Sequence, residues 1–228
     1  HVSFSDLLFP KKCLGCGKYG SYICDKCISE AEVAPLVCPE CGRKSVDGLT
    51  HIKCSKPLGL DGTISVWFYR GVVRRAILAL KYKFAKEVAK ELAHLAHSQI
   101  RKKNLVFPIN PILTPIPLYW FRGNWRGFNQ SQEIGKTLAG RIGLGFIPDL
   151  LIRKKFTKPQ IELKGQQRRQ NIKGVFAVNP KYQPLTISHQ SLILFDDVWT
   201  TGATIKEAAK VLKRNGVKNV WAFTLTRS

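Results

Sequence analysis

The stretch that most constrains the fold of this chain is LILFDDVWTTGAT, which runs from Leu192 to Thr204. The run Leu192–Phe195 is short, apolar and uninterrupted, which is typical of a strand buried on both faces of a parallel sheet. Two aspartates follow, and after the turn at 200–204 apolar residues recur at helical spacing up to Gly216. The stretch therefore predicts a strand, an acidic turn, a small-residue turn and a helix. Ligands of open α/β sheets bind beyond the carboxyl ends of such strands.

The residue types in this connection indicate a phosphorylated, hydroxyl-bearing ligand. Small residues let backbone N–H groups approach a phosphate, and the helix N-terminus adds a partial positive charge. The carboxylates of Asp196 and Asp197 suit sugar hydroxyls or a magnesium ion. The alternative is an ordinary strand-to-helix connection in which the Asp and Thr side chains act only as caps. We favour ligand binding because the whole pattern is more specific than an aspartate pair alone.

The pattern resembles the signature of type I phosphoribosyltransferases. This resemblance implies that Asp196 and Asp197 hold the ribose hydroxyls of phosphoribosyl pyrophosphate, with Mg²⁺ as a cofactor, and that the following turn wraps the 5′-phosphate. The turn consists of Thr200, Thr201, Gly202, Ala203 and Thr204.

All seven cysteines lie before residue 55, and six of them form three C-x2-C pairs. Two thiolates on one tight turn fit adjacent corners of a zinc tetrahedron, and a histidine at the same spacing completes the second set. The alternative, a disulfide framework, needs an oxidising compartment and leaves one cysteine unpaired. The spacing does not separate sequential from interleaved pairing of the ligands. The predicted structural Zn²⁺ sites are Cys13, Cys16, Cys24 and Cys27, and Cys38, Cys41, His51 and Cys54.

The chain divides into a cysteine-rich zinc-binding module at residues 1–58 and an α/β domain at residues 59–228. In the second part, apolar spacing predicts alternating strands and helices. The predicted strands are Gly59–Tyr69, Ile112–Ile116, Leu192–Phe195 and Val217–Leu225, with helices around 73–80 and 88–99 and a third capped by Asn129.

The formal net charge is +22, from 37 basic and 15 acidic residues. Such an excess attracts nucleic acid, an anionic membrane or a phosphate-rich ligand, although a merely basic soluble protein would show it too. Arg122 and Arg126 lie among aromatic residues and could bind pyrophosphate or stack on bases, unless the aromatics pack into the core. The basic segment 160–176 is either a flap over the ligand or a solvated face. The candidate nucleic-acid contacts are Arg122, Trp125, Arg126 and Arg168.

The sequence also bears on location. Four prolines break the apolar stretch at 105–118, so no run reaches the length of a membrane span. No secretory signal is recognisable. We therefore expect a cytoplasmic protein, either free or in peripheral contact with the inner face of the membrane.

The order of motifs resembles the ComF family over about residues 13–228. It comprises the cysteine-rich start, ALKYKF, TPIPL, RGFNQ, a Q…R-x2-N-x4-F segment and DD-TTGAT. The family is known from competence proteins that help imported single-stranded DNA across or inside the membrane. The resemblance implies a zinc-ribbon-like module on a type I phosphoribosyltransferase fold, a parallel sheet with helices on both faces. It also implies single-stranded DNA and DNA-uptake or recombination proteins as partners.

Residue by residue, the resemblance carries over to several positions. The family has a fourth C-x2-C pair, and this chain has Pro57 where the eighth cysteine would fall. The second zinc site therefore depends on His51 replacing that ligand. The motif matches are Lys81 and Tyr82, with Lys81 a candidate ligand of phosphoribosyl pyrophosphate, then Arg126 to Gln130, and Gln160, Arg168, Asn171 and Phe176.

Three functions fit these features. The first is a ComF-like protein that binds phosphoribosyl pyrophosphate and handles single-stranded DNA. The second is an active phosphoribosyltransferase of nucleotide metabolism with an unknown acceptor. In that case Mg²⁺ with Arg122 and Arg126 stabilises the departing pyrophosphate, while Asp196 and Asp197 offset the positive charge developing on the ribose. The third is a regulator that binds phosphoribosyl pyrophosphate without turnover.

Overall fold

A five-stranded parallel sheet forms the centre of the computed structural model, which describes residues 10–80, 85–117, 129–154, 171–182 and 190–228. The strand order is β1-β7-β6-β2-β3, and a separate antiparallel pair joins β4 to β5. The strands are β1 Gly62–Phe68, β2 Pro111–Pro115, β3 Gly145–Phe146, β4 Leu151–Arg153, β5 Phe176–Val178, β6 Ser191–Trp199 and β7 Asn219–Arg227.

Five α-helices and two short 3₁₀ helices, Val46–Gly48 and Ile52–Cys54, lie within the described residues, and the four longer α-helices cover the sheet. The α-helices are α1 Asp25–Ser29, α2 Gly71–Ala79, α3 Ala85–Lys102, α4 Gln130–Ile142 and α5 Ala203–Arg214. None of these described helices is long and apolar enough to span a membrane.

The core has two halves, one on each face of the sheet, because side chains of a strand alternate. On β6, Ile193 and Phe195 pack with helices α2, α3 and α4. Leu192 and Leu194 of the same strand pack on the other face with α5 and the β4–β5 pair. The predicted parallel sheet with helices on both faces, preceded by a cysteine-rich module, is confirmed.

The predicted end of the strand at Phe195 was wrong, because β6 continues to Trp199. Strand β7 extends beside it, pairing Asp196 with Thr224 and Trp199 with Arg227, so the backbone has partners beyond the apolar run. The two aspartates thus lie in the strand itself, and the turn begins only after it. The last strand is likewise shifted toward the C-terminus, to Asn219–Arg227.

The cysteine-rich segment contacts both the sheet and helix α3. Its backbone joins the outer side of β1, where Ala34 N donates to Val66 O at 3.0 Å and Phe68 N donates to Glu32 O at 2.9 Å. On α3, the Glu91 carboxylate accepts hydrogen bonds from two consecutive backbone N–H groups beside the first cysteine set. The cysteine-rich segment is therefore attached to the α/β part at several points.

Candidate functional site

The carboxylates at the end of β6 meet the first turn of α4. Asp196 Oδ1 accepts hydrogen bonds from Ser131 Oγ at 3.2 Å and from Asp197 N at 3.0 Å. The capping role predicted for Asn129 is confirmed, since its side chain accepts from the backbone N–H groups of Ser131 and Gln132. Sequence analysis missed Ser131. Its place just inside a helix that follows the neighbouring strand β2 was the available signal.

Burial and the adjacent charge of Asp197 raise the pKa of Asp196 well above its usual range. Tyr69, just beyond β1, lies in the field of the same pair. Its pKa is raised chiefly by burial and also by Asp197, against the opposing charge of Arg74. The pair therefore favours partners that relieve its negative charge, namely a proton, a divalent cation or hydroxyl donors. Such partners match the chemistry predicted for this position.

The turn after β6 requires glycine at Gly202. Its φ is 69°, in the left-handed region, and a Cβ there would overlap the indole ring of Trp199. Thr201 Oγ1 accepts from Ala203 N at 3.3 Å, which shapes the entry into the 12-residue helix α5. The predicted small-residue turn and helix are confirmed. The turn presents the positive end of a helix dipole beside the carboxyl edge of the sheet.

A cleft of about 400 Å³ lies between this turn and the second cysteine set. Glu40 on one wall pairs with Lys56 at 3.0 Å and with Lys206 of α5 at 3.3 Å. Burial opposes ionisation of Glu40, but these two lysines lower its pKa overall. The cleft is lined by Glu40, Lys56, Leu58, Gly59, Ile172, Thr201, Ala203, Lys206, Glu207 and Lys210.

The cysteines and the histidine gather into two four-residue clusters, as predicted, and the pairing is sequential. In each cluster the four ligand atoms lie within 4.8 Å of one another. Cys16 Sγ and Cys24 Sγ are 3.6 Å apart. Two thiolates bonded to one tetrahedral zinc at about 2.3 Å would be about 3.8 Å apart. The clusters therefore fit structural Zn²⁺. Their members are Cys13, Cys16, Cys24 and Cys27, and Cys38, Cys41, His51 and Cys54.

His51 has the tautomer that a metal ligand needs. Its Nε2 lies 3.1 Å from the carbonyl oxygen of Lys44 and must therefore carry the hydrogen. The lone pair of Nδ1 then faces the cluster, 3.3 Å from Cys41 Sγ. Histidine ligands of zinc characteristically donate their second ring N–H to such a carbonyl. His51 thus supplies the fourth ligand atom of the second cluster.

One thiol of each cluster is poised to ionise. For Cys13, burial alone would raise the pKa, but hydrogen bonds from the backbone lower it to about 6. Backbone donation from Arg43 is the largest cause that lowers the pKa of Cys41 to about 6. The thiolate is the form that binds zinc, so Cys13 and Cys41 favour the ligating state, whereas burial and the neighbouring thiols raise the pKa of Cys27 and of Cys54.

Several predicted residues lie outside the described residues. Among the candidate site residues these are Lys81, Arg122, Trp125, Arg126 and Arg168, and among the family motifs Tyr82, Gly127, Phe128 and Gln160. Asn171 and Phe176, from the later motif, lie in the last part of the basic segment, in a short helical turn and at the start of strand β5.

Comparison with known proteins gives matches for both parts of the chain. The profile described as a double zinc ribbon domain matches residues 4–56. DNA utilization protein YhgH of Salmonella typhimurium is 30% identical over 213 residues, which are 90% of each chain. Competence protein F of Haemophilus influenzae is 31% identical over 159 residues, which are 67% of this chain and 68% of that protein.

Two further comparisons concern Bacillus subtilis proteins. Competence protein ComFC is 27% identical over 221 residues, covering 90% of this chain and 84% of that protein. Among solved structures, the match to a glutamine phosphoribosylpyrophosphate amidotransferase covers 61% of this chain and 27% of the amidotransferase chain. The two are 14% identical, with a TM-score of 0.40. The identity and coverage of the competence and DNA utilization relatives, together with the double zinc ribbon, show that this chain belongs to the ComF family.

Proposed function

We propose that this ComF-family protein binds phosphoribosyl pyrophosphate with Mg²⁺ at the carboxyl end of β6 and handles single-stranded DNA during DNA uptake. One observation carries the first half. Two neighbouring carboxylates, of Asp196 and Asp197, lie near the end of β6, and the glycine-dependent turn that leads into α5 begins directly after that strand. Asp196 and Asp197 would bind the ribose hydroxyls and, through them or directly, the cation. The turn at 200–204 would receive the 5′-phosphate.

The electrostatics support this assignment. Two neighbouring, partly buried carboxylates are unfavourable by themselves, as the raised pKa of Asp196 indicates. A bound cation or a set of hydroxyl donors would turn that repulsion into binding energy. For the pyrophosphate we propose Lys81 and Arg126, by their match to the family motifs, and Arg122, because it lies in the same basic, aromatic segment as Arg126.

Calorimetry of the zinc-loaded protein with phosphoribosyl pyrophosphate and Mg²⁺ tests the proposal. We expect binding by the wild type and none by the double variant Asp196→Asn, Asp197→Asn. The matched control is Asp47→Asn, which makes the same change at an exposed carboxylate and keeps a residue that tolerates its positive φ of 50°. Equal affinity in the double variant and the wild type would show that the carboxylates do not bind the ligand.

The DNA half of the proposal is supported by the charge of +22 and by the printed names of the relatives, a DNA utilization protein and competence proteins. We propose that Arg122, Trp125, Arg126 and Arg168 contact phosphates and stack on bases. Binding of a labelled oligonucleotide should weaken steeply between two salt concentrations, because bound phosphates release counterions. Replacing Arg122 and Arg126 by alanine should flatten that dependence. An absence of binding at low salt would contradict direct DNA handling by this chain.

Phosphoribosyl transfer is the second candidate function, because carboxylates that hold a ribose can also offset positive charge on its C1 in the transition state. Pyrophosphate release with a panel of nucleobases tests it. Release with one base would establish an enzyme. Binding of phosphoribosyl pyrophosphate without release would favour a sensing or regulatory role.

A further inference from the structure

The side chain of Glu40 joins the second metal cluster to helix α5. This residue lies inside the C-x2-C turn, between the ligands Cys38 and Cys41. Backbone hydrogen bonds of 2.9 Å, from Cys38 N to Arg43 O and from Gly42 N to Cys38 O, close that turn. The Glu40 side chain is only 13% exposed. Ligation of the two cysteines would therefore also fix the position of this carboxylate.

The partner of Glu40 on α5 is Lys206, with 3.3 Å between Nζ and Oε1. Lys206 is part of the first turn of the helix, and its backbone N–H donates to Gly202 O at 2.8 Å. Its side chain is 27% exposed, so the ion pair is shielded more than most surface pairs. The cysteine-rich module thus contacts the turn of α5 that begins at the phosphate-binding residues.

Lys206 also lies over the ring of Trp199, the residue that packs against the turn at 200–204. Its Nζ lies 5.9 Å from the centroid of the Trp199 ring, within the range of a cation–π interaction. The same ring packs against Gly202, leaving no room for a Cβ. A contiguous set of contacts therefore runs from the second cluster through Glu40 and Lys206 to Trp199 and Gly202.

We propose that Glu40 is a positioning residue. Through Glu40, the second zinc cluster holds the turn at 200–204 in the conformation that binds phosphate. When the cluster is ligated, the turn at 38–41 is fixed and Glu40 keeps its ion pair with Lys206. Lys206 in turn keeps the indole ring of Trp199 packed against Gly202. When the ligands are released, the carboxylate is no longer held at that place and the start of α5 loosens. The effect on ligand affinity rests on the proposed function, but the effect on the turn does not.

Hydrogen exchange of the zinc-loaded full chain tests the coupling without any ligand. We expect Glu40→Gln to accelerate exchange in the peptide covering 199–210, and Lys206→Met to do the same. In the double variant the increase should be smaller than the sum of the two single increases, because both substitutions remove the Glu40–Lys206 pair. Each also removes a contact of its own, from Glu40 to Lys56 and from Lys206 to the Trp199 ring. Glu32→Gln is the matched control, since it removes another carboxylate that pairs the module with the α/β part, to Arg70 at 3.1 Å. The control should leave this peptide unchanged.

The role of the metal is tested with His51→Ala, which removes one ligand of the second cluster. Exchange at 199–210 should rise as in Glu40→Gln, and His51→Cys should restore the slow exchange. Unchanged exchange in Glu40→Gln would overturn the proposal by itself, even if His51→Ala failed to fold.

Affinity gives the functional readout. In Glu40→Gln, calorimetry should show phosphoribosyl pyrophosphate binding weakened about 5- to 10-fold, a modest allosteric coupling, with Glu32→Gln unchanged. Faster exchange with unchanged affinity would overturn the link to binding. If the wild type bound no phosphoribosyl pyrophosphate, the proposed function would fail, whereas the exchange measurements would still decide whether Glu40 couples the cluster to the turn.

Discussion

Replacing Asp196 by asparagine should make the ligand-free protein more stable at neutral pH and, at the same time, unable to bind its ligand. Asparagine keeps an oxygen at the position that accepts hydrogen bonds from Ser131 Oγ and Asp197 N, so the geometry is retained. What it removes is a partly buried negative charge next to another one. Sites that bind ligands commonly sacrifice stability in this way.

The magnitude follows from Coulomb's law. The side chains of Asp196 and Asp197 interact directly, and two unit charges about 4 Å apart repel by about 4 kcal/mol at an effective dielectric constant of about 20. Partial exposure of both groups to solvent reduces this to a gain of about 1–2 kcal/mol in the free energy of unfolding. For a chain of this size, that gain corresponds to a rise in Tm of about 2–8 °C.

The pH dependence identifies the cause. The pKa of Asp196 is raised in the folded state, whereas an aspartate in the unfolded chain titrates at about 3.9. The wild type therefore loses stability as the pH rises from about 3.9 through the folded-state pKa, and the asparagine variant does not. The difference in stability between them should be near zero at about pH 4 and reach its full size above the folded-state pKa.

The assay is thermal and denaturant unfolding of the zinc-loaded protein from acid to neutral pH, without Mg²⁺ or ligand. Asp47→Asn, an exposed change of the same kind, should stay within about 0.5 kcal/mol of the wild type. A variant at position 196 that is less stable at pH 7, or whose difference from the wild type does not depend on pH, would refute the assignment of a strained carboxylate pair.

Three further outcomes are expected. Elemental analysis of the purified protein should find two zinc ions per chain; thiols paired as disulfides without metal would contradict the two clusters. Gly202→Ala should lower the free energy of unfolding by about 1–3 kcal/mol and abolish the binding of phosphoribosyl pyrophosphate. The reason is that Gly202 has a positive φ and that the Trp199 ring fills the space a Cβ would need. Wild-type affinity in calorimetry together with wild-type stability would contradict this. Glu91→Ala should lower the free energy of unfolding by about 1–3 kcal/mol, because the backbone N–H groups of Tyr22 and Ile23 lose the carboxylate that accepts from them. Denaturant unfolding measures this, with Glu91→Gln as the milder control. A loss below about 0.5 kcal/mol, the size of an ordinary surface change, would show that these hydrogen bonds do not hold the cysteine-rich segment in place.

The sequence was informative where one local pattern had one physical explanation. Apolar periodicity predicted the sheet and its helices, and the capping role of Asn129 could be inferred from its position before an amphipathic run. The spacing of the cysteines predicted both clusters, and His51 joined the second because its distance from Cys54 matched a C-x2-C pair.

What the sequence could not give depends on contacts between distant segments. The end of β6 is set by the length of β7 beside it, which apolar content does not report. The hydroxyl of Ser131 reaches Asp196 only because two neighbouring strands end at the same edge of the sheet. The pairing of Glu40 with Lys206 joins residues 166 positions apart, and the C-x2-C spacing predicts nothing about the residues between its two cysteines.

The attachment of the cysteine-rich segment along β1 has a consequence for solubility. Strand β1 is a terminal strand of the sheet, and six of its seven residues are buried, in the sequence GTISVWF. A long apolar strand with an uncovered edge is a template for pairing with another molecule. Bridges from Val33 to Trp67 and from Leu49 to Gly62 cover that edge with the segment that carries both cysteine clusters. Small zinc modules characteristically fold only when the metal is bound. Loss of zinc would therefore expose the edge of β1 to pairing with other molecules. In cells that lack zinc, this protein should form aggregates before its α/β core unfolds.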